Sequence, residues 1–235
     1  MNILAIDSGN TRIKWGLMEH SGEAGAFTRQ GALTHDESTG LKTVFASLPA
    51  PQRIAVSNVA GVGPARHIEE ACAQFGVPII WARPRAEQCG VVNSYDSAQL
   101  GSDRWAALLG AWHRQRGACL VVGAGTATTA DLLSTRGEFR GGIIFPGLAL
   151  MKRSLADNTA RLPFAEGAWT EEPRNTADAI ESGVLNAQAG AIERMYAQLV
   201  RTEGEGAICL LSGGASAPIA DCLSVPHRLV DHLVL

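Results

Sequence analysis

Two short stretches, far apart in the chain, combine small residues and hydroxyls in a way suited to holding phosphate. The first, Asp7-Ser8-Gly9-Asn10-Thr11, directly follows the short apolar run from Asn2 to Ile6. Gly9 allows backbone N–H groups to turn outward, and Ser8, Asn10 and Thr11 add neutral donors. Asp7 is placed to hold a cation or a water beside whatever anion those amides bind. Exposed amides next to one carboxylate suit a polyphosphate carried with a divalent metal. An ordinary hairpin turn uses the same residue types, so this stretch alone favours the plainer reading.

The second stretch, Gly123-Ala124-Gly125-Thr126-Ala127-Thr128-Thr129-Ala130-Asp131, follows another apolar run, Ala118 to Val122. It repeats the opening layout of strand, small hydroxyl-rich turn and strand. That repetition suggests two similar α/β lobes, each contributing a phosphate-type turn; two unrelated hairpins is the alternative. Gly-x-x-x-x-Gly-Lys-Ser/Thr and Gly-x-Gly-x-x-Gly fingerprints are both absent from the sequence.

A third constellation is Gly101-Ser102-Asp103-Arg104, ahead of an alanine-rich helical stretch from Trp105 to Arg114. Asp at a helix start is favoured by the helix dipole and caps backbone donors, and Arg104 can serve as a surface cation. The chemical reading is that Asp103 takes a hydroxyl proton while Arg104 holds a substrate oxygen. Later come Gly141 to Gly147, a glycine-bounded strand and turn, then Asn175-Thr176 at a helix start, where Thr176 fits an N-cap. Ser212-Gly213-Gly214 follows the last clear strand, and its glycines would let backbone lie against a flat ligand.

The elements between these motifs alternate. Ile13, Trp15 and Leu17 continue the opening hairpin, and residues 19–50, with Gly22 and Gly25, read as irregular strands and turns ending in a helix over 41–48. Strands follow at 53–59 and 77–81, with a helix over 65–75 between them that stops at Gly76. Residues 93–97 read as a polar loop. After the second turn come a helix over 148–156, an extended loop over 157–173, a long helix from Asn175 to Val200, and a strand over 207–211. This alternation argues for an α/β architecture.

Composition bounds the remainder. The 235 residues are 46% hydrophobic and 18% charged, enough to bury one large core or two compact ones. A net charge of −3 gives no electrostatic reason to expect nucleic acid or an anionic membrane. Cys72, Cys89, Cys119, Cys209 and Cys222 show no Cys-x-x-Cys spacing, which favours buried thiols in a reducing compartment. With no signal-like N-terminus and no membrane-length apolar run, the expectation is a soluble cytoplasmic protein.

Six motifs in order resemble type III pantothenate kinase, a group that includes proteins called Bvg accessory factor. They are Asp7 to Thr11; Tyr95 with Leu100 to Arg104; Gly125-Thr126-Ala127-Thr128-Thr129-x-Asp131; Gly141-Gly142-x-Ile144-x-Pro146-Gly147; Asn175-Thr176; and Ser212-Gly213-Gly214. The resemblance implies an actin/hexokinase/Hsp70-like (ribonuclease H-like) fold with nucleotide between two lobes, here 1–114 and 115–235. It implies a homodimer that converts pantothenate and ATP into 4′-phosphopantothenate and ADP, the first step of coenzyme A synthesis. Carried over by position, Asp7, Ser8, Gly9, Asn10, Thr11, Arg12, Ile13 and Lys14 form the first ATP phosphate loop, with Asp7 near Mg²⁺, and Thr126 belongs to the second. Tyr95, Gly101, Ser102, Asp103 and Arg104 match pantothenate-contacting positions, with Asp103 as general base. Thr176 matches a pantothenate contact that reaches the site from the partner subunit.

One position departs from the family pattern. The family commonly has Asp two residues before the Gly of Gly-Thr-Ala, binding potassium or ammonium, and Gly123 stands there. The resemblance therefore does not carry a monovalent-cation ligand to this chain. Two alternatives to the kinase reading are a nucleotide-binding regulatory protein of the same fold without turnover, and a sugar or acetate kinase of the same superfamily.

Overall fold

The computed structural model describes residues 1–19, 27–160, 162, 164 and 166–235. Gly22 and Gly25, and positions 161, 163 and 165 of the expected loop, lie outside the described residues. Two compact units form. One comprises Met1–Arg85, Asp96–Gly110 and Val234–Leu235, the other Ala86–Tyr95 and Ala111–Leu233.

The first unit is built on a five-stranded sheet. β1 (Ile3–Ser8) and β2 (Arg12–Met18) make the expected antiparallel hairpin, pairing Ser8 with Ile13, and β3 (Phe27–Thr34) adds antiparallel to β2. β4 (Arg53–Asn58) then runs parallel to β1, and β5 (Ile79–Trp81) parallel to β4, giving the order β3-β2-β1-β4-β5. The parallel pairs require crossovers, supplied by α1 (Leu41–Ala46) and α2 (Val62–Cys72). Alternate residues Leu4 and Ile6, Ile13, Trp15 and Leu17, and Ile54 and Val56 pack with Phe45, Ile68 and Cys72 of the two helices. Each such side chain contributes about 1.5–3 kcal/mol on burial. α2 starts earlier than the expected position 65 because Gly61, at φ 93°, caps it and Pro64 fits its first turn; Gly76, at φ 64°, ends the 3-10 turn that follows. α3 (Ser102–Arg114) contains the expected helix, and the boundary between the units falls within it.

The second unit holds a seven-stranded sheet. β6 (Glu87–Gln88) and β7 (Val91–Asn93) form a small hairpin just ahead of the expected polar loop, overlapping it at Asn93. β8 (Cys119–Ala124), β9 (Ala127–Leu133) and β10 (Glu138–Pro146) form an antiparallel meander. α4 (Leu148–Asn158) and α5 (Thr176–Glu203) cross over to β11 (Ile208–Ser212), parallel to β8, and α6 (Ser216–Ala220) leads to β12 (His227–Leu229). The order β12-β11-β8-β9-β10-β7-β6 contains the same 3-2-1-4-5 arrangement as the first sheet, extended by β7 and β6. Each sheet thus places a tight turn between its first two antiparallel strands, the layout expected from the repeated motif. The core of this unit joins Leu120, Val122 and Leu132 of the sheet to Leu185, Ile192 and Leu199 of α5. Among the described residues, no helix is long and apolar enough to cross a membrane.

Candidate functional site

In the first unit the turn between β1 and β2 contains just Gly9, Asn10 and Thr11, and Gly9 N–H donates to the Arg12 carbonyl at 3.1 Å. Gly9 is not among the residues with positive φ. Asn10, Thr11 and Arg12 are exposed, whereas Ile13 is fully buried and can present only backbone to a ligand. Asp7 lies within β1, opposite Lys14 of β2 and Ser57 of β4.

Asp7 and Asp103 are close enough to interact. Burial, the charge of Asp103 and, in the opposite sense, Lys14 raise the Asp7 carboxyl from 3.8 to about 6. Asp7 Oδ1 and the neighbouring Ser8 Oγ are buried without hydrogen-bond partners. A buried carboxylate oxygen with no donor is costly by itself, and a divalent cation carried by a polyphosphate supplies the charge it lacks. Mg²⁺ needs just one or two carboxylates when phosphates supply further ligands. No cluster of three or more His, Cys, Asp or Glu side chains suited to a metal occurs among the described residues.

Asp103 sits in the first turn of α3, where Oδ1 accepts the Arg104 N–H at 2.8 Å. Gly101 makes room for this: a Cβ there would stand 2.5 Å from Asp103 Oδ1. Ser102 Oγ lies 3.1 Å from Ser57 Oγ and anchors the start of α3 to β4, beside Asp7 in the sheet register. Arg104 is 6% exposed, so the surface-cation reading fails. A buried guanidinium is costly unless paired, and Arg104 is not without a partner.

Tyr95, Thr126 and Thr176 belong to the second unit. The turn between β8 and β9 is reduced to Gly125 and Thr126, because Gly123, Ala124 and Thr128 to Asp131 are strand residues. Three contacts box this turn in. Gly147 N–H donates to the Thr126 carbonyl at 2.9 Å, Ala215 N–H to the Ala124 carbonyl at 3.2 Å, and Gln188 accepts from Thr128 Oγ1 at 2.6 Å while donating to the Pro146 carbonyl at 2.7 Å. Gly213 is used differently from the expectation of a flat ligand: at φ 112°, its position would put a Cβ 2.2 Å from the Ala124 carbonyl oxygen. Close approach of the protein's own backbone explains that glycine.

Gly123 faces Thr129 across the β8–β9 ladder, and Asp131 pairs with Val121. The Asp131 carboxylate, 1% exposed, fills the space left by Gly142 on β10, where a Cβ would come within 2.1 Å of Oδ1. Tyr95 stacks on Phe139 with ring centroids 5.6 Å apart. Thr176 is not the N-cap of α5; Asn175 is, accepting the Asp178 N–H at 2.9 Å. Its side chain is thereby left exposed on the rim of a groove of about 980 Å³ between α4 and α5, lined by Leu150, Met151 and Ile180 among others.

The sequence model of the family described as type III pantothenate kinase matches residues 3–198. A type III pantothenate kinase of Aromatoleum aromaticum is 53% identical over 234 residues, covering 99% of this chain and 94% of that one. The chain belongs to the type III pantothenate kinase family. Another member, from Azoarcus sp., is 49% identical across 99% of this chain and 88% of its own. Among solved structures, a Baf family protein from Campylobacter jejuni matches with TM-score 0.60 and 21% identity, over 98% of this chain and 92% of that chain. The fold is shared with that protein, and the two-sheet α/β architecture is that of actin/hexokinase-like kinases and ATPases.

Two features of this family member are not legible in its sequence. One is the support of the β8–β9 turn by Gly147, Gln188 and Ala215, visible only once α5 and α6 are folded against the sheet. The other is His35, whose Nε2 lies 2.8 Å from the carbonyl oxygen of Gly9 in the β1–β2 turn. A histidine bonded to a backbone carbonyl 26 residues away leaves no spacing signal in the sequence.

Proposed function

We propose that this protein transfers the γ-phosphoryl group of ATP to the terminal hydroxyl of pantothenate, giving 4′-phosphopantothenate and ADP. The observation that carries the proposal is the pairing of Asp7, with its unpartnered buried oxygen, and Asp103 within one unit. Asp7 through Lys14, with Thr126, take the ATP phosphates. Tyr95, Gly101 through Arg104 and Thr176 take pantothenate, Thr176 reaching the site of a second copy in a homodimer.

In the reaction the pantothenate oxygen bonds to the γ-phosphorus as the bond to the leaving ADP oxygen breaks. Asp103 orients the hydroxyl and receives its proton. A carboxylate is too weak a base to ionise an alcohol beforehand, so the proton moves late. The Asn10 N–H of the turn faces the charge on the transferring group. Asp7 would hold Mg²⁺, which neutralises phosphate charge when bound. Arg104, buried beside Asp103, fixes a substrate oxygen by its planar donors. Gly123 supplies no side-chain oxygen, so this position contributes no potassium or ammonium ligand. The cysteines are free thiols, Cys72, Cys119 and Cys209 buried, Cys222 partly buried and Cys89 exposed, and this supports a reducing, cytoplasmic setting.

The test is ADP release, coupled to a reporter, with pantothenate and a panel of small alcohols, sugars and acetate. Turnover with pantothenate alone is the expected result; turnover with a sugar or acetate but not pantothenate overturns the assignment. ATP binding without any turnover supports the regulatory alternative.

A further inference from the structure

His35 follows β3 and lies outside every motif that carries the family resemblance. A carbonyl oxygen can only accept, so the 2.8 Å contact to Gly9 requires hydrogen on His35 Nε2. His35 Nδ1, the other ring nitrogen, is buried without a hydrogen-bond partner. The residue is held from three sides. Ser38, 2% exposed, donates its hydroxyl to the His35 carbonyl at 2.5 Å, and with that hydrogen committed, Ser38 Oγ accepts from His67 Nδ1 of α2 at 2.7 Å. One residue before His35, Thr34 pairs with Arg12 at the end of the phosphate turn, and the Glu37 carboxylate takes both the N–H and the hydroxyl of Thr34 at 3.0 Å.

The consequence follows from peptide geometry. In a trans peptide the C=O and the next N–H point in opposite directions. Drawing the Gly9 carbonyl toward His35 therefore aims the Asn10 N–H away from His35, to the other side of the turn. The turn itself contributes one closing hydrogen bond, Gly9 N–H to the Arg12 carbonyl, which leaves the Gly9–Asn10 peptide plane to be set from outside.

We propose that His35 is a positioning residue that fixes the Gly9–Asn10 peptide so that the Asn10 amide faces the ATP phosphates. The proposal rests on the reading of this turn as the ATP phosphate loop. It requires a donor at the ε position of residue 35, and neither bulk nor aromaticity replaces it.

Three variants of the full chain test this, assayed with Mg²⁺ and matched for thermal stability. His35→Phe keeps the shape and loses the donor; His35→Gln places an amide N–H near the ε position; Ser38→Ala cuts the tie to the His35 carbonyl. His35→Phe is expected to raise KM for ATP about 3–10-fold, the scale of one lost hydrogen bond, with KM for pantothenate changed less than about 2-fold. His35→Gln is expected to restore KM for ATP to within about 2-fold of the parent, and Ser38→Ala to shift it in the same direction as His35→Phe by less. Equal effects on both substrates, or equal losses for Gln and Phe, overturn the proposal. Should His35→Phe fail to fold, an unchanged KM for ATP in Ser38→Ala does the same. If the parent protein binds ATP but does not consume pantothenate, the functional reading fails separately, and the comparison of variants then uses dissociation constants for ATP against adenosine. A loss for ATP without a loss for adenosine supports the role of His35, and equal losses refute it.

Discussion

Replacing Asp7 by asparagine removes a carboxyl that the folded protein raises from 3.8 to about 6, chiefly by burial. Between those values the folded chain holds a proton that the unfolded chain has lost. Stability therefore falls as pH rises through this window and stays lower above it. At about 1.4 kcal/mol per pH unit the gap is worth about 3 kcal/mol, which is the cost of keeping Asp7 charged at pH 8 without a cation. The asparagine side chain has nearly the same shape and carries no charge. Asp7→Asn should gain up to about 3 kcal/mol at pH 8, or roughly 6–12 °C in Tm for a chain of this size. The gain should be small at pH 4, grow to about pH 6–7, and be constant beyond. The assay is thermal or urea unfolding from pH 4 to 9 without nucleotide or Mg²⁺, alongside ADP release. Activity should fall while stability rises. A variant less stable than the parent at pH 8, or a difference that does not change between pH 4 and 8, would refute the reasoning.

Asp103→Asn should keep the fold and ATP affinity yet lower kcat by at least about 10²-fold, the scale of a lost general base; turnover within a few-fold of the parent removes that role. Thr176→Ala should raise KM for pantothenate about 2–10-fold, the equivalent of one hydrogen bond, with KM for ATP unchanged. Sedimentation that finds a fully active monomer would count against Thr176 acting from a partner subunit. Activity of the parent should depend little on potassium or ammonium when kcat/KM is compared with sodium at constant ionic strength. Gly123→Asp should introduce that dependence, provided Thr129 Oγ1 gives way from the 3.0 Å at which a new Cβ would meet it.

The two hairpin turns were legible because each sits between apolar runs long enough to identify as strands, and their repetition is borne out by the sheet order. Helix ends were less so. α2 begins at Val62 because Gly61 takes a positive φ, a property the letter G allows and does not announce. The hairpin of β6 and β7 was invisible for a different reason: its strands have two and three residues, and β7 is held in the sheet by parallel pairing of Val92 with Glu138. Local pattern cannot encode a partner so far along the chain. Residue type left Arg104 open between a surface cation and a substrate contact, and its burial removes the first; Thr176 fitted an N-cap, a place the structure gives to Asn175. At Asp131 the burial of the carboxylate depends on Gly142 lying directly across the ladder. The role of Gly101 became intelligible only when Asp103 was seen folded back over it.

The interleaving of the two units also governs how the chain matures during synthesis. Residues 86–95 leave the ribosome before the segment Asp96–Gly110 that completes the first unit, yet they belong to the second. β7 must wait for β10 to emerge before its edge is paired, because Asn93 pairs with Phe139. During that interval a short strand with exposed Val92 stands open to other nascent chains. Meanwhile the hairpin of β1 and β2, with local pairing, can form early, but Ser57 acquires its bond to Ser102 only after the intervening strand pair has been extruded. Asp103 therefore comes near Asp7 only once the first turn of α3 has been made, and this precedes synthesis of Ala111–Leu233, the greater part of the second unit.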